Sequence, residues 1–278
     1  MTTPETEPTY EHIRIEHEEN LSWIVFDRPG AANALSNELL GEFSAALEYL
    51  KTHGGPVLAI RGEGKGFSAG YDISAPKQLD PVADRDRLQR NLHRYVAIWD
   101  HPKPVIAAVH GYAIAGATQL IIFTDITIVA EDAKLGEPTV PIGGGFIAPL
   151  WAILAGPKRA KELAFVPGNY IDGKTAVEWG LANHAVPADE VIEATRSLAS
   201  RMALVSPDLL HMKKVSINRA MEWMGMRQAI EGTAEIDALL HLVPDVIALR
   251  TRVREEGLKV IIDEFRVPPT SDISKRKA

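Results

Sequence analysis

Apolar and polar residues alternate at the start of the chain, and apolar residues recur at helical spacing further along. Residues 12–16 alternate, and residues 23–26 are rich in β-branched and aromatic side chains. We therefore predict a hairpin joined across residues 18–20. Ser36 is a favourable N-cap, and the apolar residues after it predict a helix that runs to about Thr52.

Short apolar runs separated by helical stretches occupy the centre of the chain. Continuous apolar runs at residues 57–60, 105–109 and 126–129 predict strands. Asp80 followed by Pro81 predicts the start of one helix, and a short helix is predicted to begin near Ala115. Strands that are apolar on both faces and joined by helical crossovers indicate an α/β fold.

Helical patterns dominate from about Pro187 onward. We predict a polar, disordered tail over residues 1–10, a core over residues 11–190 and a helical oligomerisation region over residues 191–267. A second disordered tail is predicted over residues 268–278. The aromatic residues Trp151 and Trp223 are expected in the core, because aromatic side chains dominate protein cores.

Composition narrows the classes of function. The chain has 278 residues, no cysteine and a formal net charge of −7. The absence of cysteine excludes thiolate catalysis, disulfides and cysteine-ligated metal sites, and it fits a cytoplasmic location. The negative charge argues against a nucleic-acid partner, whose phosphates require positive charge. No apolar run approaches 18 residues, so we expect no membrane span.

Three glycine-rich segments are candidates for chemistry, at residues 62–73, 110–120 and 135–146. Residues 62–73 contain the pattern G-x-S-x-G around Ser68, which is typical of a serine nucleophile. No helix is predicted directly after Ser68, so a backbone role for this loop is favoured over a nucleophile. Residues 110–120 open a short helix, whose free N–H groups could join one from the first loop in an oxyanion hole. Tight helix packing is the alternative explanation for the small residues there.

Several motifs resemble those of the crotonase (enoyl-CoA hydratase/isomerase) superfamily. These motifs occupy residues 28–35, 67–73, 103–113, 125–126, 133–136 and 172–182. The second reads F-S-A-G-Y-D-I and the third reads K-P-V-I-A-A-V-H-G-Y-A. The resemblance covers roughly residues 12–266, and the order of the motifs makes it specific for the superfamily.

The resemblance implies a crotonase-like (ClpP/crotonase) α/β fold, a spiral of ββα units with a C-terminal helical region. It implies a homotrimer or a dimer of trimers that acts on an acyl-CoA thioester through an enolate. Coenzyme A would arrive as part of the substrate, with no separate cofactor and no metal. By position, the N–H groups of Tyr71 and Gly116 would form the oxyanion hole. The substrate would lie along Gly116 and along a segment comprising Ala69, Gly70, Tyr71, Asp72, Ile73 and Ser74.

The chain departs from the family pattern at both usual catalytic glutamates. Gln119 and Thr139 stand at those positions. Neither an amide nor a hydroxyl exchanges protons near pH 7, so ordinary fast hydration is doubtful. Glu137 is the first alternative base, although a solvated carboxylate is the simpler interpretation. His110 and Asp72 are expected to support loop structure through hydrogen bonds.

Two functional hypotheses remain open from the sequence. The first is an acyl-CoA enzyme of the hydratase/isomerase superfamily, a lyase or isomerase, that lacks the usual acid–base pair. The second is a crotonase-fold protein that binds acyl-CoA or assembles with partners but turns over little. The acyl group cannot be named from the residues.

Overall fold

A six-stranded sheet forms the centre of the protein. The structure, a computed structural model, describes residues 7–73, 80–143 and 148–265. The strands lie in the order β1-β2-β3-β4-β6-β9, with β1 antiparallel to β2 and the other neighbours parallel. Their bounds are β1 Ile13–His17, β2 Leu21–Phe26, β3 Val57–Gly62, β4 Val105–Val109, β6 Ile126–Ala130 and β9 His184–Val186.

A smaller three-stranded sheet contains backbone segments next to the candidate active site. It runs in the order β5-β7-β8, with β5 parallel to β7 and β7 antiparallel to β8. These strands are β5 Tyr112–Ile114, β7 Lys134–Gly136 and β8 Tyr170–Ile171. The chain thus leaves β4 of the large sheet, passes through β5 and enters the short helix α3, Gly116–Ile122.

Helices connect and cover the two sheets. The other helices before residue 187 are α1 Asn37–Leu50, α2 Pro81–Trp99, α4 Ala148–Ala155, α5 Pro157–Phe165 and α6 Gly173–Glu178. Two single turns of 3-10 helix lie at Pro29–Ala31 and Ala188–Glu190. The Ser36 hydroxyl accepts a hydrogen bond from the Leu39 N–H at 3.2 Å, and the Asp80 carboxylate caps α2 in the same way. The predicted hairpin, central strands and helix starts are therefore confirmed.

Five helices lie within residues 191–265, where the sequence pattern predicts helices. They are α7 Val191–Met202, α8 Pro207–Trp223, α9 Met226–Leu240, α10 Pro244–Glu256 and α11 Leu258–Phe265. Helix α7 packs on the large sheet, whereas α9 packs mainly against α2. No helix in the described ranges is both long and apolar enough to cross a membrane.

A buried ion pair fixes α8 to the sheet. The Lys214 ammonium lies 2.7 Å from Asp125 Oδ2 and also donates to the carbonyls of Ile98 and Lys103.

The two tryptophans that were expected in the core have different surroundings. Trp151 is buried as predicted, but Trp223 is 83% exposed at the end of α8, so the prediction for Trp223 is wrong. The apolar spacing of α8 reflects an outward-facing stripe that a single chain leaves uncovered.

Candidate active site

The first glycine-rich loop is an extended segment held on both sides by backbone hydrogen bonds. On one side, the Leu35 N–H donates to the Gly70 carbonyl at 2.8 Å and the Asp72 N–H donates to the Leu35 carbonyl at 3.3 Å. On the other side, the Ser68 N–H donates to the Tyr112 carbonyl at 3.2 Å. Because successive N–H groups of extended backbone alternate in direction, the N–H of Tyr71 points away from Leu35.

Two glycines let this loop approach the start of α3. Gly70 has a positive φ of 89°, and a Cβ atom on it would lie 2.5 Å from the Ile114 carbonyl oxygen and 3.2 Å from the Gly116 nitrogen. Only glycine fits such a position. Within the described residues, neither the Tyr71 N–H nor the Gly116 N–H has a hydrogen-bond acceptor. The structure therefore brings together the two predicted donor segments and leaves both N–H groups free.

The backbone at Ala115 sets the direction of the Gly116 N–H. Ala115 has a φ of 51° and a ψ of −118°, an unfavourable conformation for a residue with a Cβ atom. Its N–H donates to the Gly136 carbonyl at 2.9 Å, which anchors it to β7. Strain of this kind persists where the surroundings impose it and is concentrated at functional sites.

The Tyr71 side chain covers Gly116 and reaches Gln119. A Cβ atom on Gly116 would lie 2.8 Å from the Tyr71 ring, and the Tyr71 hydroxyl donates to Gln119 Oε1 at 2.9 Å. Burial, followed by the neighbouring Tyr95, raises the pKa of Tyr71 well above its ordinary value, so its hydroxyl remains a donor. Gln119 is 3% exposed, and in the described part of the chain its amide nitrogen has no hydrogen-bond partner.

Glu137 follows directly on the β7 residue that anchors Ala115. Its backbone N–H donates to the Asn169 carbonyl at 2.9 Å. Its side chain is half-buried, and no side chain or backbone donor among the described residues pairs with its carboxyl group. Burial and then the charge of Asp237 raise the pKa of this carboxyl to about 8. Glu137 is therefore not the solvated carboxylate that the simpler interpretation assumed.

Asp237 is a neighbour of the site that the sequence did not suggest. It lies on α9, is 3% exposed and acts electrostatically on both Glu137 and Tyr71. A usable signal was present in the sequence: Asp237 and His241 are four residues apart, hence on one face of a helix that is otherwise largely apolar there. Glu137 lies far earlier in the chain, so only the three-dimensional fold shows that Asp237 acts on it.

Ser68 has a structural role. Its side chain is fully buried, its hydroxyl donates to the Asn33 carbonyl at 2.7 Å and it accepts from the Gly70 N–H at 3.1 Å. No helix begins after it, since residues 69, 70, 72 and 73 form neither helix nor strand. The G-x-S-x-G pattern is therefore a loop motif here, and the favoured backbone role is confirmed.

Two other side chains also support the loops. His110 Nε2 lies 2.9 Å from the Gly64 carbonyl oxygen, and the Arg28 guanidinium donates to Asp72 Oδ2 at 3.2 Å. Both predicted structural roles are confirmed. The Arg28 contact joins the loop to the turn at residues 28–35, which explains why those two motifs belong together.

The remaining predicted residues occupy the rim of the site. Ala69 is exposed, and Asp72 and Ile73 are half-exposed, so this stretch offers accessible surface beside the Tyr71 N–H. Ser74 lies outside the described residues. The Thr139 side chain faces Gly168, where a Cβ atom would lie 3.1 Å from Thr139 Oγ1. The described contacts thus join Tyr71, Gly116 and Gln119 directly, whereas Glu137 is linked to them through the bond between Gly136 and Ala115, and Thr139 contacts Gly168.

Comparison with known proteins identifies the family. The sequence model of the family described as enoyl-CoA hydratase/isomerase matches residues 16–241. The chain belongs to this enoyl-CoA hydratase/isomerase family. A crotonyl-CoA hydratase from Syntrophomonas wolfei is 29% identical over 267 residues, which cover 92% of this chain and 96% of that protein.

Solved structures of the enoyl-CoA hydratase/isomerase family share the whole fold. One from Novosphingobium aromaticivorans, assigned to the enoyl-CoA hydratase/isomerases, superposes with a TM-score of 0.93 at 51% identity. It covers 96% of this chain and 99% of its own. An enoyl-CoA hydratase/isomerase from Xanthobacter autotrophicus superposes with a TM-score of 0.88 at 34% identity, covering 94% and 100%. The predicted crotonase-like fold is confirmed.

Proposed function

We propose that this protein binds an acyl-CoA thioester and stabilises an enolate of its acyl group. The thioester carbonyl oxygen would accept hydrogen bonds from the N–H groups of Tyr71 and Gly116. Charge develops on that oxygen as the enolate forms, so preorganised donors stabilise the transition state more than the ground state. One such donor contributes about 2.7–4 kcal/mol in comparable sites.

Glu137 supplies the proton transfer in this proposal. The observation that carries the assignment is a carboxyl group that has no hydrogen-bonding partner among the described residues, follows directly on the Gly136 that anchors Ala115, and has a pKa raised to about 8. A group whose pKa lies near the working pH can both take and return a proton. The hydroxyl of Thr139 and the amide of Gln119 can orient water or an acyl oxygen, but they do not exchange protons at neutral pH.

Coenzyme A enters this scheme only as the carrier of the acyl group. The accessible residues Ala69, Asp72 and Ile73 offer a surface for its pantetheine and adenine next to the Tyr71 N–H. A Cβ atom on Gly70 would lie 3.2 Å from the Gly116 nitrogen, so the two loop backbones that carry the donors are in close contact. No separate cofactor and no metal are part of the proposal.

Isotope exchange tests the proposal without knowledge of the natural acyl group. We expect the protein to catalyse exchange of the α-protons of saturated acyl-CoA thioesters in D₂O, followed by mass spectrometry. The matching S-alkyl-CoA thioethers serve as the control, because they lack the carbonyl that the oxyanion hole polarises. Exchange into thioesters alone supports the enolate, whereas no exchange across short, branched and arylacetyl thioesters contradicts it.

The binding-protein hypothesis makes the opposite prediction for the same panel. A protein that only holds acyl-CoA would bind thioesters in titration calorimetry but would not exchange their α-protons. The Glu137 carboxyl, which has no partner among the described residues, favours the enzyme, because a half-buried carboxyl with a raised pKa is typical of a site of proton transfer. Failure to bind any CoA thioester at millimolar concentration would contradict both hypotheses.

We further propose that the chain assembles as a homotrimer or a dimer of trimers. Apolar side chains on α8 and α9 face outward in the single chain; they are Leu209, Met212, Trp223, Ile236 and Leu239, each exposed by 49–83%. A contiguous exposed apolar surface of this kind is typical of a subunit interface. We expect light scattering at micromolar concentration to give three or six times the chain mass, and a monomer mass would contradict the prediction.

A further inference from the structure

The Tyr71 side chain lies over one of the two proposed oxyanion donors. Gly116 is buried although its N–H has no acceptor among the described residues. A Cβ atom on Gly116 would lie 2.8–2.9 Å from three carbon atoms of the Tyr71 ring, so the ring is in contact with this glycine. From the other direction, a Cβ atom on Gly70 would lie 3.2 Å from the Gly116 nitrogen. Packing contacts, rather than a hydrogen bond, therefore separate this donor from solvent.

A hydrogen bond holds the Tyr71 ring in this position. The Tyr71 hydroxyl donates to Gln119 Oε1 at 2.9 Å, and Gln119 lies on α3, three residues after Gly116. The side chain thus spans the first turn of α3 from the outside. Gln119 is 3% exposed, so water has little access to its end of the bond. One side chain therefore covers both the glycine donor and the amide of the candidate site.

The Tyr71 ring is the outer member of an aromatic stack. Its centroid lies 6.5 Å from that of Tyr95, with 27° between the ring planes, and the Tyr95 and Phe123 centroids are 6.0 Å apart. Tyr95 and Phe123 are buried, whereas Tyr71 is only half-buried. A half-buried ring at the end of a stack can rotate about its own side-chain bonds without unpacking the core. The same rotation leaves the backbone N–H of Tyr71 in place.

We infer that the Tyr71 side chain is a gate of the oxyanion hole. In the closed position, which the structure shows, the ring covers Gly116 and the hydroxyl is bonded to Gln119. In the open position the ring leaves Gly116, the bond to Gln119 breaks, and the thioester carbonyl reaches the Gly116 N–H. Tyr71 thus supplies one donor through its backbone and controls access to the other through its side chain. The inference rests on the proposed function for the identity of the ligand.

The closed position lowers the apparent affinity for the acyl group. A ligand that binds only the open form has its affinity reduced by the fraction of molecules that are open. Loss of the bond between Tyr71 and Gln119 should raise that fraction by about 2–10-fold, the effect expected for one neutral hydrogen bond. Free coenzyme A has no acyl carbonyl and does not require the open form. Variants of the gate should therefore alter the binding of a thioester and leave the binding of free coenzyme A unchanged.

Hydrogen exchange at the Gly116 N–H tests the gate in the ligand-free protein. We expect Tyr71→Ala to accelerate this exchange by about tenfold or more, because both the ring and its hydrogen bond are lost. Tyr71→Phe keeps the ring and loses the bond, so it should accelerate the exchange by about 2–10-fold. Mass spectrometry with electron-transfer fragmentation resolves the exchange to this residue. Equal rates in the native protein and in Tyr71→Ala would overturn the proposal, and Tyr71→Leu gives the same test if Tyr71→Ala does not fold.

Tyr112→Phe is the matched control, because the Tyr112 ring also covers a glycine of the same loop, at Gly66 rather than at Gly116. This variant loses one tyrosine hydroxyl and should leave the exchange at Gly116 unchanged. Gln119→Met removes the acceptor and keeps Tyr71, so it should match Tyr71→Phe. The double variant Tyr71→Phe with Gln119→Met should exchange no faster than either single variant, because both changes remove the same bond. Effects that add in the double variant would overturn the role of this bond in the gate.

Binding of acetyl-CoA connects the gate to the proposed function. We expect calorimetry to give a dissociation constant for acetyl-CoA that is about 2–10-fold lower for Tyr71→Phe than for the native protein, with an unchanged constant for free coenzyme A. Weaker binding of acetyl-CoA to Tyr71→Phe would overturn the gate, because the hydroxyl would then be a contact of the ligand.

The two measurements separate this inference from the proposed function. Faster exchange at Gly116 in Tyr71→Ala, in a protein that binds no CoA thioester, would support the gate and contradict the proposed function. Exchange of thioester α-protons by the native protein, together with equal Gly116 exchange in Tyr71→Ala, would support the proposed function and overturn the gate.

Discussion

Replacement of Glu137 by glutamine is expected to slow α-proton exchange into acyl-CoA thioesters by about 10²–10⁴-fold, the usual contribution of a general acid–base group. Glutamine preserves the size of the side chain and removes only its ability to exchange a proton. The oxyanion donors at Tyr71 and Gly116 remain, so binding of the thioester should change little. The measurement is the exchange rate and the dissociation constant of the same thioester for both proteins.

The pH dependence of the native protein supplies an independent check on Glu137. The raised pKa of about 8 means that the carboxylate, which is the base, accumulates only as the pH rises toward and through that value. Exchange should therefore increase between pH 6 and 9 with a midpoint near 8, and this rise should be absent from Glu137→Gln.

Glu131→Gln is the control for the loss of a carboxylate near Glu137. Glu131 forms a surface ion pair with Lys174 and is separated from Glu137 by β7. Its replacement should leave both the exchange rate and the pH profile unchanged. Equal activity of Glu137→Gln and the native protein would show that Glu137 is not the base.

The two loops of the oxyanion hole could be predicted from sequence because their signals are local. Glycines at residues 70 and 116 mark close backbone approach, and the start of α3 follows from a buried strand and a run of small residues. The structure adds what residue spacing alone does not show: the loop forms backbone hydrogen bonds to Leu35 on one side and to Tyr112 on the other, and the Tyr71 N–H points away from Leu35. The side chain of Tyr71 was undetermined in the sequence because its position over Gly116 depends on the packing of Tyr95 and Gln119.

The buried contact between Asp84 at the start of α2 and His241 at the end of α9 could not be predicted, because the two residues meet only through the packing of distant helices. Asp84 and His241 are separated by 157 residues yet share one hydrogen bond. In the sequence alone, Asp84 and His241 each look like an ordinary polar residue of a helix. The exposed Trp223 was mispredicted for a related reason: an apolar stripe predicts burial, but it does not say whether the covering surface belongs to the same chain.

Hydration of crotonyl-CoA by the native protein is expected to be slower than that of family hydratases with two glutamates by at least about 10²–10⁴-fold. The reason lies at residues 119 and 139, where an amide and a hydroxyl replace the carboxylates that hold and deprotonate water. Steady-state loss of the enoyl absorbance measures the rate. Rapid hydration by the native protein would contradict the prediction. Glu137 would then be the first candidate for the proton transfers that the two glutamates perform in family hydratases.

The double variant Gln119→Glu with Thr139→Glu should raise this hydration. A carboxylate at residue 119 can still accept the hydrogen bond from the Tyr71 hydroxyl, and a charged acceptor strengthens such a bond. Thr139 packs closely against Gly168, so the longer side chain at residue 139 must extend away from Gly168. Thr139→Gln in the native Gln119 background is the matched control, since it has the same side-chain sizes without either carboxylate.

The comparison of these two variants separates proton transfer from pocket shape. If only the variant with two glutamates hydrates crotonyl-CoA faster, the missing carboxylates limit the native reaction. If both variants bind crotonyl-CoA and neither gains activity, the Tyr71 ring over Gly116 becomes the limiting feature, because it occupies space beside the oxyanion hole. A site with Gln119 and Thr139 at these two positions, and with a Glu137 carboxyl that has no partner among the described residues, is then suited to proton transfer at carbon rather than to addition of water.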